Sequence, residues 1–408
     1  MNFPNLNLLL QHFDSLLTPV NSTHIAVAVS GGADSLALCV LLNEWAKLHE
    51  LKLTAITIEH QLRPESAYEA QRVHQWLTDR GIHHETLIWD HAAITSNVQE
   101  KAREARYDLL IGYCKQHTIE HLWLGHHAHD QWETFFMRLS HASGLKGLAG
   151  MLPHSHRDGI NIYRPFLNID PEILKDYLIH QHQPWIDDPS NQMRKYERIR
   201  WRDQIEPLSQ LGLSPMIIQF VCEKLSADDQ ALDWSANDWI SQHVTFNDEL
   251  KFIECDLNLK QLPISLIKRI ALRLTSQVRG ITITTANVRH NMESLIQKLT
   301  ATEIKPFTFA GCYWMEHHNK MYVLREWLKC PHECITSTDM TYDHRFNLTP
   351  LPIGKTLEPV GKKYWPQIKP LVMGSSLPYQ VFLSLPIVTE DDPVILQPAV
   401  EFYKISLI

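Results

Sequence analysis

The sequence predicts an α/β protein. A doubly wound, mostly parallel sheet lies at the N-terminus, followed by a mainly helical middle region and a small strand-containing C-terminal module. Three observations carry this. Apolar runs of strand length alternate with helix-length periodicities from residue 24 to 180. Two strand-to-helix junctions carry clusters of glycine, serine, histidine and aspartate, at the edge of the sheet where such folds bind ligands. Proline becomes frequent late, nine of the 22 falling from Met340 onward among short apolar runs.

In order, His24 to Val29 reads as a buried strand and Leu36 to Leu42 as the start of a helix. Leu53 to Ile58 follows as strand, Ser66 to Thr78 as helix and Glu85 to Trp89 as strand. A helix over Asn97 to Cys114, a strand over His121 to Leu124 and a helix over Asp130 to Arg138 continue the alternation. Between Ser140 and Asn168, Gly144, Gly147, Gly150 and Gly159 break the period and predict a substrate-facing loop region; a helix returns at Pro171 to His180. Asp187-Asp188-Pro189-Ser190-Asn191 is a turn signal. Behind it Arg194, Lys195, Arg198, Arg200 and Arg202 form a basic run that reads as a solvated helix face or as a phosphate contact.

The 408 residues suggest two or three domains, placed at 1–210, 211–335 and 336–408. The middle one reads as helices at Ile217 to Leu225, Leu262 to Val278 and Ala286 to Leu299, with short strands near Thr308 and Met321; Tyr379 to Leu385 reads as a strand of the last. A hydrophobic content of 44% supplies real cores. The net charge of -8 argues against indiscriminate coating of nucleic acid and confines an RNA-binding surface to a local patch. Seven scattered cysteines fit no disulfide framework and suit a reducing compartment. Asp14 interrupts the first apolar run and no basic segment precedes it, so neither signal peptide nor membrane anchor is expected and a cytoplasmic location follows by default.

Ser30-Gly31-Gly32-Ala33-Asp34-Ser35 follows the first strand and opens a helix. Adjacent glycines let backbone N–H groups converge on an anion at the positive end of the helix dipole, and Ser30 and Ser35 add hydroxyl donors. Asp34 would repel phosphate unless magnesium or an amide intervenes. The loop lacks both the Gly-Lys-Ser/Thr ending of a Walker loop and the third glycine of a dinucleotide site.

Gly125-His126-His127-Ala128-His129-Asp130-Gln131-Trp132-Glu133-Thr134 repeats the strand-to-helix placement. Asp130 and Glu133 stand one turn apart on one helix face, suited to an ammonium group or to magnesium. The three histidines also admit a zinc reading. Arg103 and Arg106 form an i, i+3 pair for phosphate or nucleic-acid backbone, or else an ordinary salt-bridged helix with Glu100 and Glu104. His60 and Arg63 follow the second strand, again at the ligand edge.

The glycine loop resembles the pyrophosphate loop of ATP pyrophosphatases. Together with His60 to Ser66, Glu100 to Tyr107, Gly125 to Thr134, Gly144 to Met151, Arg164-Pro165 and Asp187 to Asn191, it resembles the bacterial tRNA(Ile)-lysidine synthetase family. The resemblance implies a sheet of the PP-loop ATPase type over 1–210, a tRNA-binding accessory domain over 211–335, and a ligase chemistry. ATP adenylates the wobble cytidine of a CAU-anticodon isoleucine tRNA, and free L-lysine displaces AMP to give lysidine. Implied nucleotide-binding residues are Ser30, Gly31, Gly32, Ala33, Asp34, Ser35, His60 and His126. Implied catalytic residues are Asp34, Asp130, Glu133, Arg103 and Arg106, with Asp34 and Asp130 on Mg2+; the amine's proton must pass to a nearby base, for which His126 and His129 are candidates, or to a phosphate oxygen. No obligate protein partner is expected, a homodimer being left open.

Two positions depart from the family pattern: His129 where an aspartate commonly stands, and His141-Ala142 where Arg-Gly is usual. Two other readings compete. A tRNA-thiolating enzyme would need a cysteine pair, for which only Cys330 and Cys334 are close in sequence. A non-catalytic RNA-binding protein would keep the nucleotide domain as a scaffold.

Overall fold

The computed structural model describes residues 13–14, 22–62, 64–92, 96, 98–187, 197–349, 351 and 353–389. Arg63, Asn97, the turn over 188–191, Arg194 and Lys195 lie outside the described residues. The chain divides into two compact units, Met1–Asp229 and Gln230–Ile408.

The first unit is built on β1 (His24–Ala28), α1 (Ala33–Leu48), β2 (Lys52–Glu59), α2 (Ser66–Asp79), β3 (His83–Ile88), α3 (Val98–Gln116), β4 (His121–Trp123) and α4 (Ala128–Ser140). After these come the short α5 (Leu145–Leu148), β5 (His154–Arg157), β6 (Ile160–Tyr163), α6 (Pro171–His180), α7 (Glu197–Arg202) and α8 (Ile205–Gln210). The six strands run in the order β3-β2-β1-β4-β6-β5, parallel except for the β5–β6 hairpin. That hairpin falls inside the stretch expected to be loop. Its signal was Asp158-Gly159, with both residues at positive φ, between His154 to Arg157 and Ile160 to Tyr163.

Alternation along β1 explains why both faces are covered. Ile25, Val27 and Val29 pack with α1, α2 and α6, whereas Ala26 joins Ile56, Leu122 and the α3 residues Leu110, Ile111 and Cys114 on the other face. A further cluster joins Trp132, Phe135 and Phe136 of α4 to Trp201, Ile205, Leu208, Ile218, Cys222 and Leu225. These contacts carry the first unit past residue 210, into the long helix α9 (Pro215–His243).

The second unit adds β7 (Val244–Asn247), β8 (Phe252–Asp256), α10 (Ile264–Arg279), α11 (Thr285–Val288), α12 (Met292–Leu299), β9 (Phe307–Phe309), β10 (Cys312–His317) and β11 (Lys320–Arg325). Its helices pack on an antiparallel sheet ordered β7-β8-β11-β10-β9, of which the sequence revealed only the strands near Thr308 and Met321. A second core lies among short strands and helices out to Val388. Tyr379 to Leu385 is not a strand. It holds a helical turn, Gln380–Leu383, which buries Val381, Phe382 and Leu383 before strand Pro386–Thr389 begins.

Beneath the sheet edge, His84 is buried with Nε2 2.8 Å from Thr57 Oγ1 and Nδ1 3.0 Å from His74 Nδ1. Burial, with the charges of His74 and His83, pushes its pKa down to about 4. Because the unfolded imidazole takes up a proton near pH 6.5 and the folded one only near pH 4, acid favours the unfolded chain across that interval. Urea midpoints should therefore fall as pH drops from 6.5 to 4. In His84→Gln the fall should be shallower; an unchanged slope would show that His84 does not titrate between the two states.

Candidate active site

Parallel pairing aligns Ala26 with Leu122 and Val27 with Trp123, so the loops after β1 and β4 leave the sheet side by side. From this pair the sheet continues to β2 on one side and β6 on the other, which makes it the topological switch point. Gly125 lets the two loops touch. A Cβ there would lie 3.0 Å from the Asp34 carbonyl oxygen and 3.0 Å from Ser35 Cα.

The two glycines of the first loop answer different demands. Gly31 sits at φ +88, and a Cβ would come within 2.9 Å of Val73 and 3.1 Å of Ile186, whose N–H donates to the Gly31 carbonyl at 2.9 Å. Gly32 caps α1 at φ -73 with no side chain capping the helix. A Cβ there would meet only Ser30 Oγ, at 3.6 Å. The fold itself makes no demand for glycine at 32. An open cradle beside uncapped N–H groups, with buried Ala33 starting the helix, fits the phosphates of a nucleotide. Ser35 departs from its expected role: its Oγ accepts from the Ser30 N–H at 3.0 Å and donates to the Gly32 carbonyl at 3.0 Å. Its one hydrogen is used inside the loop, and exposed Ser30 therefore donates its own hydroxyl to Ser35 Oγ at 3.2 Å, so both serines shape the cradle.

Asp34 and Asp130 are brought together around His127, which the sequence singles out only as a possible zinc ligand. Its Nε2 lies 3.5 Å from Asp34 Oδ2 and 3.5 Å from Asp130 Oδ2. The His127 N–H donates to Asp130 Oδ2 at 3.2 Å, part of a capping box. Burial works to lower the His127 pKa, but Asp130 and Asp34 raise it. Burial likewise opposes ionisation of Asp130, yet His127, His126 and Arg198 bring it down to about 2. Asp34 Oδ1 is buried without a hydrogen-bond partner among the described residues. That open oxygen, beside an ionised Asp130, is a donor set that fits magnesium.

Glu133 is not an open carboxylate. It is fully buried: one oxygen accepts from Arg202 Nε at 2.5 Å, and the other lies 3.0 Å from Arg198 Nε as an ion pair without a hydrogen bond among the described residues. Burial and the charge of Asp130 raise its pKa, against the pull of Arg202 and Arg198. The picture of two carboxylates gripping one amine is corrected accordingly: Asp130 faces the histidine pair, and Glu133 anchors two guanidiniums. Those guanidiniums belong to the basic run, whose solvated-face reading fails for Arg198 and Arg202. Their partner lies 69 residues away for Arg202, which leaves no local trace in the sequence.

Arg106 gathers with this group. Burial lowers its pKa, and it senses Tyr107, Arg103, Arg198 and Asp130. Arg103 is exposed, its guanidinium 5.5 Å from the Tyr107 ring centre. Arg164, missed as a site residue beyond its motif, is buried and donates to the Leu152 carbonyl and Ser155 Oγ. His60 ends up beside Trp89 and a cavity of about 350 Å³ lined by Glu59, Gln61, Leu62, Pro64, Ser66 and Ala67. Burial, then Arg106 and His91, push its pKa down to about 4. His126, half-buried among Asp130 and the arginines, is pushed down to about 3 by desolvation and then by Arg164, Arg106 and Arg103. Burial and His127 also lower His129.

The zinc reading finds no set of three metal-holding side chains among the described residues. Nor do Cys330 and Cys334 form a working pair: Cys330 is buried against Asp343 and Arg345, its pKa pushed up to about 12, and Cys334 is exposed.

A family model described as a PP-loop domain matches residues 6–209. The tRNA(Ile)-lysidine synthase of Orientia tsutsugamushi (strain Boryong) is 33% identical over 79% of this chain and 75% of that protein. The chain belongs to the tRNA(Ile)-lysidine synthase family. A second lysidine synthase, from Wolbachia pipientis wMel, is 30% identical over 93% of this chain and 90% of its own length. Among solved structures, a tRNA thiolase from Methanococcus maripaludis aligns with a TM-score of 0.47 and 18% identity, covering 54% of this chain and 78% of that one. No helix among the described residues of this family member is long and apolar enough to cross a membrane.

The different demands on the two glycines are separable by experiment. Gly32→Val should fold with a melting temperature near that of the parent yet lose ATP binding by at least about tenfold. Gly31→Ala should lose about 1–3 kcal/mol of stability through its backbone strain. Equal nucleotide affinity in Gly32→Val and the parent would remove the phosphates from this cradle.

Proposed function

We propose that this chain uses ATP to join free lysine to C2 of the wobble cytidine in an isoleucine tRNA with the CAU anticodon, releasing AMP and diphosphate. The observation that carries the reading is the meeting, at one switch point, of an anion cradle with a carboxylate–imidazole–carboxylate group and a guanidinium-bound glutamate. The cradle at Gly31 and Gly32 holds the phosphates. Cytidine O2 attacks the α-phosphorus, diphosphate leaves, and O2 becomes part of a leaving group. Mg2+, held by Asp34 and Asp130, supplies neutralisation of the polyphosphate charge when bound.

Lysine then presents its side-chain amine to C2. Asp130, ionised well below neutral pH, is the carboxylate available to its ammonium form. Glu133 contributes by holding Arg198 and Arg202 in place, and reaches the amine only by releasing one of them. His126, pushed down to about 3, holds a proton too weakly to serve as the acceptor. The ammonium loses its first proton to solvent before attack, and the phosphate, which gains a second pKa of about 6 only as AMP leaves, takes the proton that the nitrogen sheds after attack. Arg103 and Arg106 lie toward the RNA backbone, and the residues of 211–335 and 336–408 extend the surface that reads the tRNA. The chemistry is positioning and charge neutralisation rather than covalent catalysis.

The two half-reactions separate the roles. With the CAU-anticodon tRNA and each free amino acid in turn, only lysine should be incorporated. Glu133→Gln should keep adenylation within about threefold of the parent while raising the lysine concentration for half-maximal transfer by about tenfold or more. Abolished adenylation with intact lysine affinity would move Glu133 to the nucleotide, and absence of any lysine transfer by the parent would sink the reading.

A further inference from the structure

Helix α7, described over Glu197–Arg202, is fixed in place by its contacts with α4. It lies along one face of α4, held at three levels. Glu133 takes Arg198 and Arg202; three residues on, Phe136 stacks on Trp201 with ring centres 5.3 Å apart. At the far end of α4, Glu197 receives His141 Nε2 at 3.2 Å on each carboxylate oxygen, Ser140 Oγ at 3.3 Å and Trp201 Nε1 at 3.4 Å. Positions 133, 136 and 140 share a helix face, which is why the three levels line up.

The last level joins the end of α4 to α7. His141 caps the C-terminus of α4, and Glu197 is the first described residue of α7. The first level sits in the candidate site; the third does not. We propose that His141 is a positioning residue: through Glu197 it fixes the tilt of α7, and with it where Arg198 and Arg202 hold Glu133. The proposal rests on the ligation reading above, and it gives a use to the position at which the resembled family carries arginine. The His141 side chain is 64% exposed and that of Glu197 30%, so the pair adds little to global stability.

The test compares His141→Ala, His141→Arg, Glu197→Gln and the double variant H141A/E197Q in the full chain. One readout is amide hydrogen exchange over residues 197–202, and the other is the lysine half-reaction. His141→Ala should exchange about three- to tenfold faster across α7 alone, keep the parental melting temperature, and lose about three- to tenfold in kcat/KM for lysine with KM for ATP unchanged. His141→Arg should restore both within about twofold, and the double variant should be no worse than either single one. Parental exchange and lysine kinetics in His141→Ala overturn the proposal. So does a loss that arginine leaves unrepaired, or losses that multiply in the double variant. If the parent transfers no lysine, the functional reading falls alone, because the exchange measurement needs no catalysis.

Discussion

The pairing of β1 with β4 is the constraint from which the site follows. Once Val27 lies opposite Trp123, the two loops leave the sheet side by side, and Asp34 of one comes against Gly125 and His127 of the other. Neither loop is large, and each gains its function from the other's proximity. Gly125 is what permits that proximity, since its missing side chain leaves the Asp34 and Ser35 backbone room to close against it. The parallel sheet thus does more than support two motifs. It sets the distance between them, and the covered faces on both sides keep that distance from drifting.

Charge is distributed at this junction so that each of its carboxylates faces a basic group. Asp34 and Asp130 share His127, and Glu133 shares two guanidiniums. Removing one partner from such a group costs far more than the group contributes as a whole, because the remaining charge is left desolvated. The arrangement therefore resists piecemeal change. It also explains why Asp130 and Glu133, three residues apart on one helix, take opposite pKa shifts: one is dominated by imidazoles, the other by enclosure and by its neighbour's negative charge.

Much of this was legible in the sequence, for reasons that separate local from distant causes. The strands of the first unit are short apolar runs and α1 to α4 have clear periods, so β1 to β4 and the glycine loop were placed to within a few residues. Asp34, Asp130 and Glu133 were chosen because they open helices after strands, and all three lie at the crevice. Local pattern could not show what each would be paired with. Arg198 and Arg202 looked like a solvated run because their carboxylate lies in a different element, and His127 looked like one of many histidines. In the second unit β7 and β8 pair with partners that include β11, remote in sequence, and β10 mixes polar with apolar residues, so none of the three shows a clear apolar run. Tyr379 to Leu385 misled in another way: an apolar run between prolines has no period of its own, and burial of three consecutive residues favoured a helical turn.

The histidine pair beneath β2 has a direction built into it. Thr57 Oγ1 donates its only hydrogen to the Val29 carbonyl at 2.8 Å, so it must accept from His84, which therefore carries a hydrogen on Nε2. A neutral His84 then has a bare Nδ1, and the hydrogen between the two rings has to sit on His74 Nδ1. A single carbonyl, one residue ahead of the Ser30 loop, thereby dictates the tautomers of two imidazoles and the polarity of the whole chain of hydrogen bonds.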